Sequence, residues 1–377
     1  MIPVTRVDLG GNEAKYLQEC IDTGWISSEG PFVRRFEADL CALTGQRHGI
    51  AVANGSVALD LALSVIGLQP GDEVVMPDFT IISCASAVVR AGATPVFVDA
   101  EPATWNMDPA QIEARISPRT RAIMVVHIYG LPSNMPAIRK IADDHGLLVI
   151  EDAAEAHGQA LGGTRCGGFG DVSTFSFYAN KHVSCGEGGM VLTSSDELAA
   201  RAIQMRNLGF DPNRRFYHES LGWNYRMTNL QAAVGCAQLE RLDVTISRKR
   251  EIGLQYRSGL ADMPLQFAPD NWLGADNHYW VVGAVLDDSA PFDAVGLAQL
   301  LRERGVDTRP FFWPMSEQPI LEQFAGGRVY DHRVASRIAR RGLYFPAGTG
   351  ITDEEVAIVC EEVKRCFHSI GPSSALS

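Results

Sequence analysis

From residue 48 onward, short apolar runs recur between stretches with helical spacing: HGIAVAN, SVALDLALSVIGL, DEVVMP, TIISCASAVVRAG and TPVFVD follow one another. The short runs, bounded by turn residues, read as strands, and the longer segments read as helices. The rhythm continues through RAIMVVHIYG, MPAIRKIADDHG, LLVIEDAA, STFSFYA and GMVLTS. These strands are apolar throughout instead of alternating, which requires a sheet covered on both faces. The expected fold class is therefore α/β, a large and mostly parallel mixed sheet sandwiched by helices.

Ahead of this rhythm, residues 11–24 (GNEAKYLQECIDTG) predict a helix ended by glycine, WISSEG an extended segment, and 33–44 a second helix. Beyond Asp196 the pattern turns helical, and 228–250 reads as one long helix leading out of the large domain. The expected boundary lies near residue 245, with a large domain over 1–245 and a small α+β domain over 246–377. The second part mixes a strand, HYWVVGAVL, with the helical stretches FDAVGLAQLLRERG and DEEVAIVCEEVKRCF. The terminal GPSSALS reads as a frayed tail, and there is no internal repeat or low-complexity tract.

A chain of 377 residues exceeds what one core usually serves, in keeping with two domains. Its formal net charge of -12 argues against a nucleic acid partner, because polyanion binding draws on clustered Lys and Arg. Any anionic ligand must be held locally. The eight cysteines are scattered without a CxxC pair, no signal-like start is evident, and no apolar run reaches the roughly 20 residues that cross a bilayer. The expectation is a cytoplasmic protein with no membrane partner.

Three places along the chain carry candidate chemistry. Gly55 and Ser56 lie between an apolar strand and a helix expected to start at Val57, where backbone N–H groups and a hydroxyl form an anion site. The same residues also suit a plain turn with a serine N-cap. Asp152 ends the strand LLVIE, the edge of an open α/β sheet where ligands gather. A carboxylate there either holds the proton on a pyridine nitrogen or caps the next helix. Lys181 lies in STFSFYANKHVSCGEGG, between a strand end and a glycine-rich turn. A sheltered amine condenses with an aldehyde and moves protons, whereas an ordinary loop lysine is solvated. Ser176 adds a hydroxyl on the same segment, and Gly186 to Gly189 permit close backbone approach.

The runs EDAAEAHG, STFSFYANKHVSCGEGGM and LGWNYRMTNLQAA, in that order and spacing, resemble the DegT family of nucleotide-sugar aminotransferases. The likeness extends from GWISSEGPFVRRFE to TRPFFWPM and covers most of the chain. It implies the aspartate aminotransferase fold (fold type I), a homodimer with shared active sites, and pyridoxal 5'-phosphate as a Schiff base on Lys181, with pyridoxamine phosphate as the intermediate form. It makes Asp152 the partner of the pyridine nitrogen and Gly55, Ser56 and Ser176 the phosphate ligands. Glu155 matches a position beside the cofactor ring. The segment from Gly222 to Asn229 is expected to enter the neighbouring subunit's site, with Asn224 or Arg226 completing the phosphate shell.

Ile81 stands where many relatives place an aromatic ring stacked on the cofactor, which forfeits about 0.5–1.5 kcal/mol of aromatic interaction. A branch that dehydrates sugars replaces the lysine with histidine; here the residue is Lys181, with His182 beside it, so transamination is the expected reaction. The stretch GFDPNRRFYHESLGWNYRMTN resembles family members that aminate C4 of GDP-4-keto-6-deoxymannose with glutamate as donor. Arg214 and Arg215 then become candidates for the substrate diphosphate, through forked hydrogen bonds, against the alternative of a solvated face. Trp313, with His278 and Arg309, is placed near the substrate mouth, where core packing is the competing role. Two further readings share the scaffold: a dehydratase or aminotransferase acting on a UDP- or dTDP-linked sugar or a cyclitol, and a non-enzymatic regulator. Intact Asp152, Ser176 and Lys181 argue against the latter.

Overall fold

The computed structural model describes residues 1–211, 213, 214 and 216–369. The N-terminal helices α1 (Glu13–Thr23) and α2 (Pro31–Thr44) both end on a glycine in the left-handed conformation, a stop the sequence pattern anticipated for the first. The apolar runs then form β1 (His48–Val52), β2 (Glu73–Pro77), β3 (Thr94–Val98), β4 (Thr120–Val126) and β5 (Leu148–Asp152). A short hairpin of β6 (Ala160–Leu161) and β7 (Thr164–Arg165) precedes β8 (Val172–Ser176) and β9 (Gly189–Thr193).

Seven of these strands make one sheet in the order β1-β9-β8-β5-β4-β2-β3. Strand β9 runs antiparallel to both neighbours, and the other pairings are parallel. Alternate side chains explain the continuous apolar runs. Met76, Met124 and Ile150 pack with Leu59 and Ala85 of α3 (Gly55–Val65) and α4 (Ile82–Arg90). Val75, Ile123 and Val149 pack against Ile138 and Ala142 of α5 (Met135–His145) on the other face. Helix α6 (Asp196–Arg206) follows β9 and is N-capped by Ser195.

The long helix expected over 228–250 is two helices, α7 (Asn229–Leu239) and α8 (Leu242–Gly259). No glycine or proline marks the break. Glu240 is held instead by tertiary contacts, accepting hydrogen bonds from Tyr16, Asn12 and Arg35 of the N-terminal region, and Arg241 leaves helical geometry next to it. Helix α7 opens with a capping box between Thr228 and Gln231.

The remainder builds a second, four-stranded antiparallel sheet in the order β10-β13-β15-β14, from β10 (Leu265–Phe267), β13 (Val282–Leu286), β14 (Arg309–Pro310) and β15 (Gly342–Phe345). A small hairpin joins β11 (Asn271–Trp272) to β12 (Ala275–Asp276). Helices α9 (Ala294–Glu303), α10 (Arg333–Arg341) and α11 (Asp353–Ser369) complete this part, with a core around Tyr256, Leu297, Phe345 and Val359. The expected boundary near 245 falls inside α8, whose Ile252 and Tyr256 pack with the second sheet. The N-terminal residues, expected with the first sheet, join the second: Ile2 exchanges backbone hydrogen bonds with Gly305 and Asp307, and Ala347 donates to Val4.

The eight cysteines are unpaired. No helix among the described residues is long and apolar enough to cross a membrane. The terminal GPSSALS lies outside the described residues.

Candidate active site

Parallel strands deliver their last residues to one edge of the sheet, and the candidate residues gather there. Asp152 ends β5 and Ser176 ends β8, with Lys181 five residues farther along the chain. Helix α3 begins at Gly55, earlier than expected, and its N-cap is Asn54, whose side chain accepts from the Val57 N–H at 3.1 Å. Ser56 is therefore not the cap. Its hydroxyl lies 3.0 Å from that of Ser83 and faces a cavity of about 820 Å³. Gly55 is required by close approach: a Cβ there would sit 2.6 Å from the Ser176 Cβ. That contact brings the α3 N-terminus, the Ser56 hydroxyl and the Ser176 hydroxyl together at one end of the cavity.

Gly55, Ser56, Ile81, Asp152, Glu155, Ser176 and Lys181 all line this cavity. Asp152 is 4% exposed; its Oδ1 accepts from the Ala154 N–H at 3.0 Å and its Oδ2 from the Cys84 thiol at 3.4 Å. Ala154 does not begin a helix, so the helix-capping alternative for Asp152 falls away. Burial pushes the Asp152 carboxyl up from the ordinary range, opposed by the Ala154 hydrogen bond and the Lys181 charge. A nearby cation would favour its ionised form.

The Lys181 side chain is 10% exposed. Its Nζ lies 3.6 Å from Glu155 Oε1 and 3.7 Å from the centre of the Trp280 ring. Burial lowers its pKa, and the Glu155 and Asp152 charges resist that shift without reversing it. Burial raises Glu155 to about 7, against the pull of Lys181 and of the Tyr129 N–H, which donates to Oε2 at 2.8 Å. Tyr129 is buried and holds a left-handed backbone (φ 55°), a costly conformation for a bulky residue that aims its N–H at Glu155.

The segment carrying the lysine is anchored at both sides. His157 Nδ1 accepts from the Val183 N–H at 3.0 Å, and burial keeps this imidazole neutral, with its pKa lowered to about 3. His182 donates from Nε2 to the His278 carbonyl at 3.1 Å, so His278 serves packing and anchoring, not the cavity. Trp280 Nε1 donates to the Asn180 carbonyl at 2.9 Å. Cys84, Tyr129 and Trp280 escaped the sequence reading because each is an apolar-run residue whose role depends on what packs across from it.

Several candidate residues lie outside this cavity. Trp313 lines a different cavity, of about 530 Å³, where the Arg340 guanidinium lies 4.8 Å from its ring. It faces α9 and α10 because it follows β14 at the edge of the second sheet. Arg309 on that edge strand pairs with Asp307. Arg214 is exposed and stacks over Tyr217 at 4.4 Å. Asn224 and Arg226 run beside Asn207 and Val52, the Arg226 guanidinium donating to Asn207, and neither lines the cavity of its own chain. Arg215 lies outside the described residues.

The donor set fits pyridoxal phosphate: amide and hydroxyl donors for a phosphate, a buried carboxylate for a ring nitrogen, and a poorly solvated amine between them. Known proteins agree. A protein named GDP-perosamine synthase from Vibrio cholerae is 40% identical over 370 residues, covering 98% of this chain and all of its own length. A protein of the same name from Caulobacter vibrioides is 41% identical over 356 residues, covering 94% of this chain and 95% of its own. The crystal structure of the aminotransferase TlmJ from Streptoalloteichus hindustanus superposes with a TM-score of 0.91 at 31% identity, covering 98% of this chain and 99% of that one. The model of the DegT/DnrJ/EryC1/StrS aminotransferase family matches residues 7–364. Sequence and fold thus agree over the same span, and the chain belongs to the DegT/DnrJ/EryC1/StrS aminotransferase family, a pyridoxal phosphate-dependent transaminase.

Proposed function

We propose that this transaminase moves an amino group from L-glutamate to C4 of GDP-4-keto-6-deoxymannose, forming GDP-perosamine and 2-oxoglutarate. The observation that carries the reaction type is Lys181, sheltered in a cavity it shares with Asp152 and the Gly55–Ser56–Ser176 cradle. The substrate rests on the two named relatives, each about two-fifths identical over nearly the whole chain.

Bound pyridoxal phosphate supplies an aldehyde for amines and a protonated ring that takes up electrons from the carbon bearing the nitrogen. The residues supply the rest. Gly55 and Ser56 at the α3 N-terminus, with the Ser56 and Ser176 hydroxyls, would hold the phosphate in an otherwise acidic protein. Asp152 would hold the ring nitrogen's proton, and Ile81, 42% exposed at the cavity wall, would cover a ring face by dispersion. Lys181 Nζ, with its pKa lowered by burial, takes the proton from the donor's α-carbon and returns it in the reverse half. Glu155 and Trp280 keep that amine over the cavity between the two halves.

We further propose a homodimer with shared sites. Asn224 and Arg226 lie outside their own chain's cavity, and Trp25, Ile26, Leu221 and Trp223 are exposed apolar side chains of the kind an interface covers. In that arrangement one of Asn224 and Arg226 completes the partner's phosphate shell, and Arg214 and Arg215 meet the sugar-nucleotide diphosphate. A cytoplasmic location follows from the nucleotide-sugar substrate.

The test uses purified protein loaded with pyridoxal phosphate. Its visible absorbance is expected to bleach with L-glutamate and to recover on adding GDP-4-keto-6-deoxymannose, with mass spectrometry detecting the 4-amino sugar. A band that ignores glutamate overturns the donor, and recovery only with a UDP- or dTDP-linked keto sugar overturns the acceptor.

A further inference from the structure

The Asp152 carboxylate is held by two donors of different kinds. The Ala154 amide takes Oδ1, and the Cys84 thiol takes Oδ2 at 3.4 Å. Cys84 is fully buried in the first turn of α4, and its sulfur also lies 3.6 Å from the Thr80 hydroxyl. Its neighbours Ile81 and Ser83 line the cavity, while Cys84 packs behind them with Met76, Met124 and Ile150.

A cysteine at a helix N-terminus is ordinarily the more acidic for it. Here burial and the adjacent Asp152 charge act the other way and hold the thiol well above its usual range. The sulfur keeps its proton, and the ionised carboxylate is an acceptor only, so the S–H donates to Asp152. Of the two oxygens, the one facing the thiol meets the weaker donor. A carboxylate bound by strong donors becomes a poorer base. A thiol therefore fixes the carboxylate plane while leaving much of its basicity for a ring nitrogen.

We propose that Cys84 is a positioning residue for the cofactor, its S–H orienting the Asp152 carboxylate toward the ring nitrogen. The proposal rests on Asp152 being that nitrogen's partner. It concerns how tightly the ring is held, so the direct readout is the dissociation constant of pyridoxal phosphate, measured by spectroscopic titration of the cofactor-free, full-length protein.

Cys84→Val retains a buried apolar group of similar size and removes the donor; Cys84→Ser retains a donor. The valine variant is expected to bind pyridoxal phosphate about five- to tenfold more weakly, the loss of one hydrogen bond from a weak thiol donor, and the serine variant within about twofold of the parent. Thermal unfolding of the cofactor-free variants records any packing loss separately, and Cys84→Ala gives a second donorless protein should valine not fold. Equal weakening in the serine and donorless variants makes the role one of packing and overturns the proposal. Parental affinity in the donorless variants overturns it as well, provided Asp152→Asn binds weakly. An Asp152→Asn protein that binds like the parent instead removes the reading of Asp152 on which the proposal stands.

Discussion

Adjacent residues of β5 divide the work of this site. Asp152 faces the cavity, whereas Glu151, one residue earlier, points to the opposite side of the strand as the two-residue period dictates. There Glu151 accepts from the Gly167, Phe169 and Gly170 amides and the Ser173 hydroxyl, and contacts His127 Nε2 at 2.9 Å. His127 Nδ1 accepts from the Ser133 N–H, which puts its ring proton on Nε2, toward Glu151. This buried net closes the far side of the sheet and leaves Asp152 as the β5 carboxylate that faces the cavity. At the lysine, Lys181→Ala should lower transamination by more than about a thousandfold while leaving the circular dichroism spectrum and unfolding temperature near those of the parent. Glu155 carries a pH signature. Its folded pKa of about 7 exceeds the unfolded value of 4.5, so the folded form binds the extra proton between those values. The stability this contributes is complete below the unfolded pKa and disappears as pH rises through about 7. Thermal unfolding of the cofactor-free protein should therefore fall over that window, and Glu155→Gln should flatten the fall.

At the scale of elements, the cradle depends on α3 lying against the end of β8. Those two elements meet because Gly55 has no side chain, and both are fixed by core packing: Ala58 and Leu61 lie in the same buried cluster as Val172. Gly55→Ala is expected to destabilise the protein by about 1–3 kcal/mol, the usual cost of forcing atoms into a packed contact, and to weaken pyridoxal phosphate binding in parallel. Denaturant midpoints and cofactor titration measure the two effects. The strands, the two N-terminal helices and the glycine stop of the first were legible in the sequence, because a doubly covered strand needs an unbroken apolar run and glycine readily takes the left-handed conformation that ends many helices. The break between α7 and α8 was not legible. Residues 228–250 carry a helical period throughout, and the interruption comes from Tyr16, Asn12 and Arg35, which are distant in sequence.

For the whole molecule, the acidic balance of -12 leaves the phosphate cradle to do locally what net charge does not. A site completed by a partner's Asn224 or Arg226 makes a further prediction. Lys181→Ala and Arg226→Ala proteins, each weakened alone, should recover activity when unfolded and refolded together, because a mixed dimer contains one site with both residues intact. Recovery to about a quarter of the parental rate is the expected ceiling for random pairing. No recovery, with dimers verified by analytical ultracentrifugation, would place Arg226 in its own chain's chemistry.

The sequence alone pointed to the class of the fold and to Gly55, Ser56, Asp152, Glu155, Ser176 and Lys181, which the structure brings to one cavity. Strand apolarity, turn glycines and motif spacing are local properties, written in consecutive residues. The tertiary structure decided which neighbours those positions meet. It set Cys84 behind Asp152, bent Tyr129 so that its amide reaches Glu155, laid Trp280 beside Lys181, and turned Trp313 away into a second cavity. Such contacts join residues tens to hundreds of positions apart, and side-chain packing across separate elements, which no local pattern encodes, selects them.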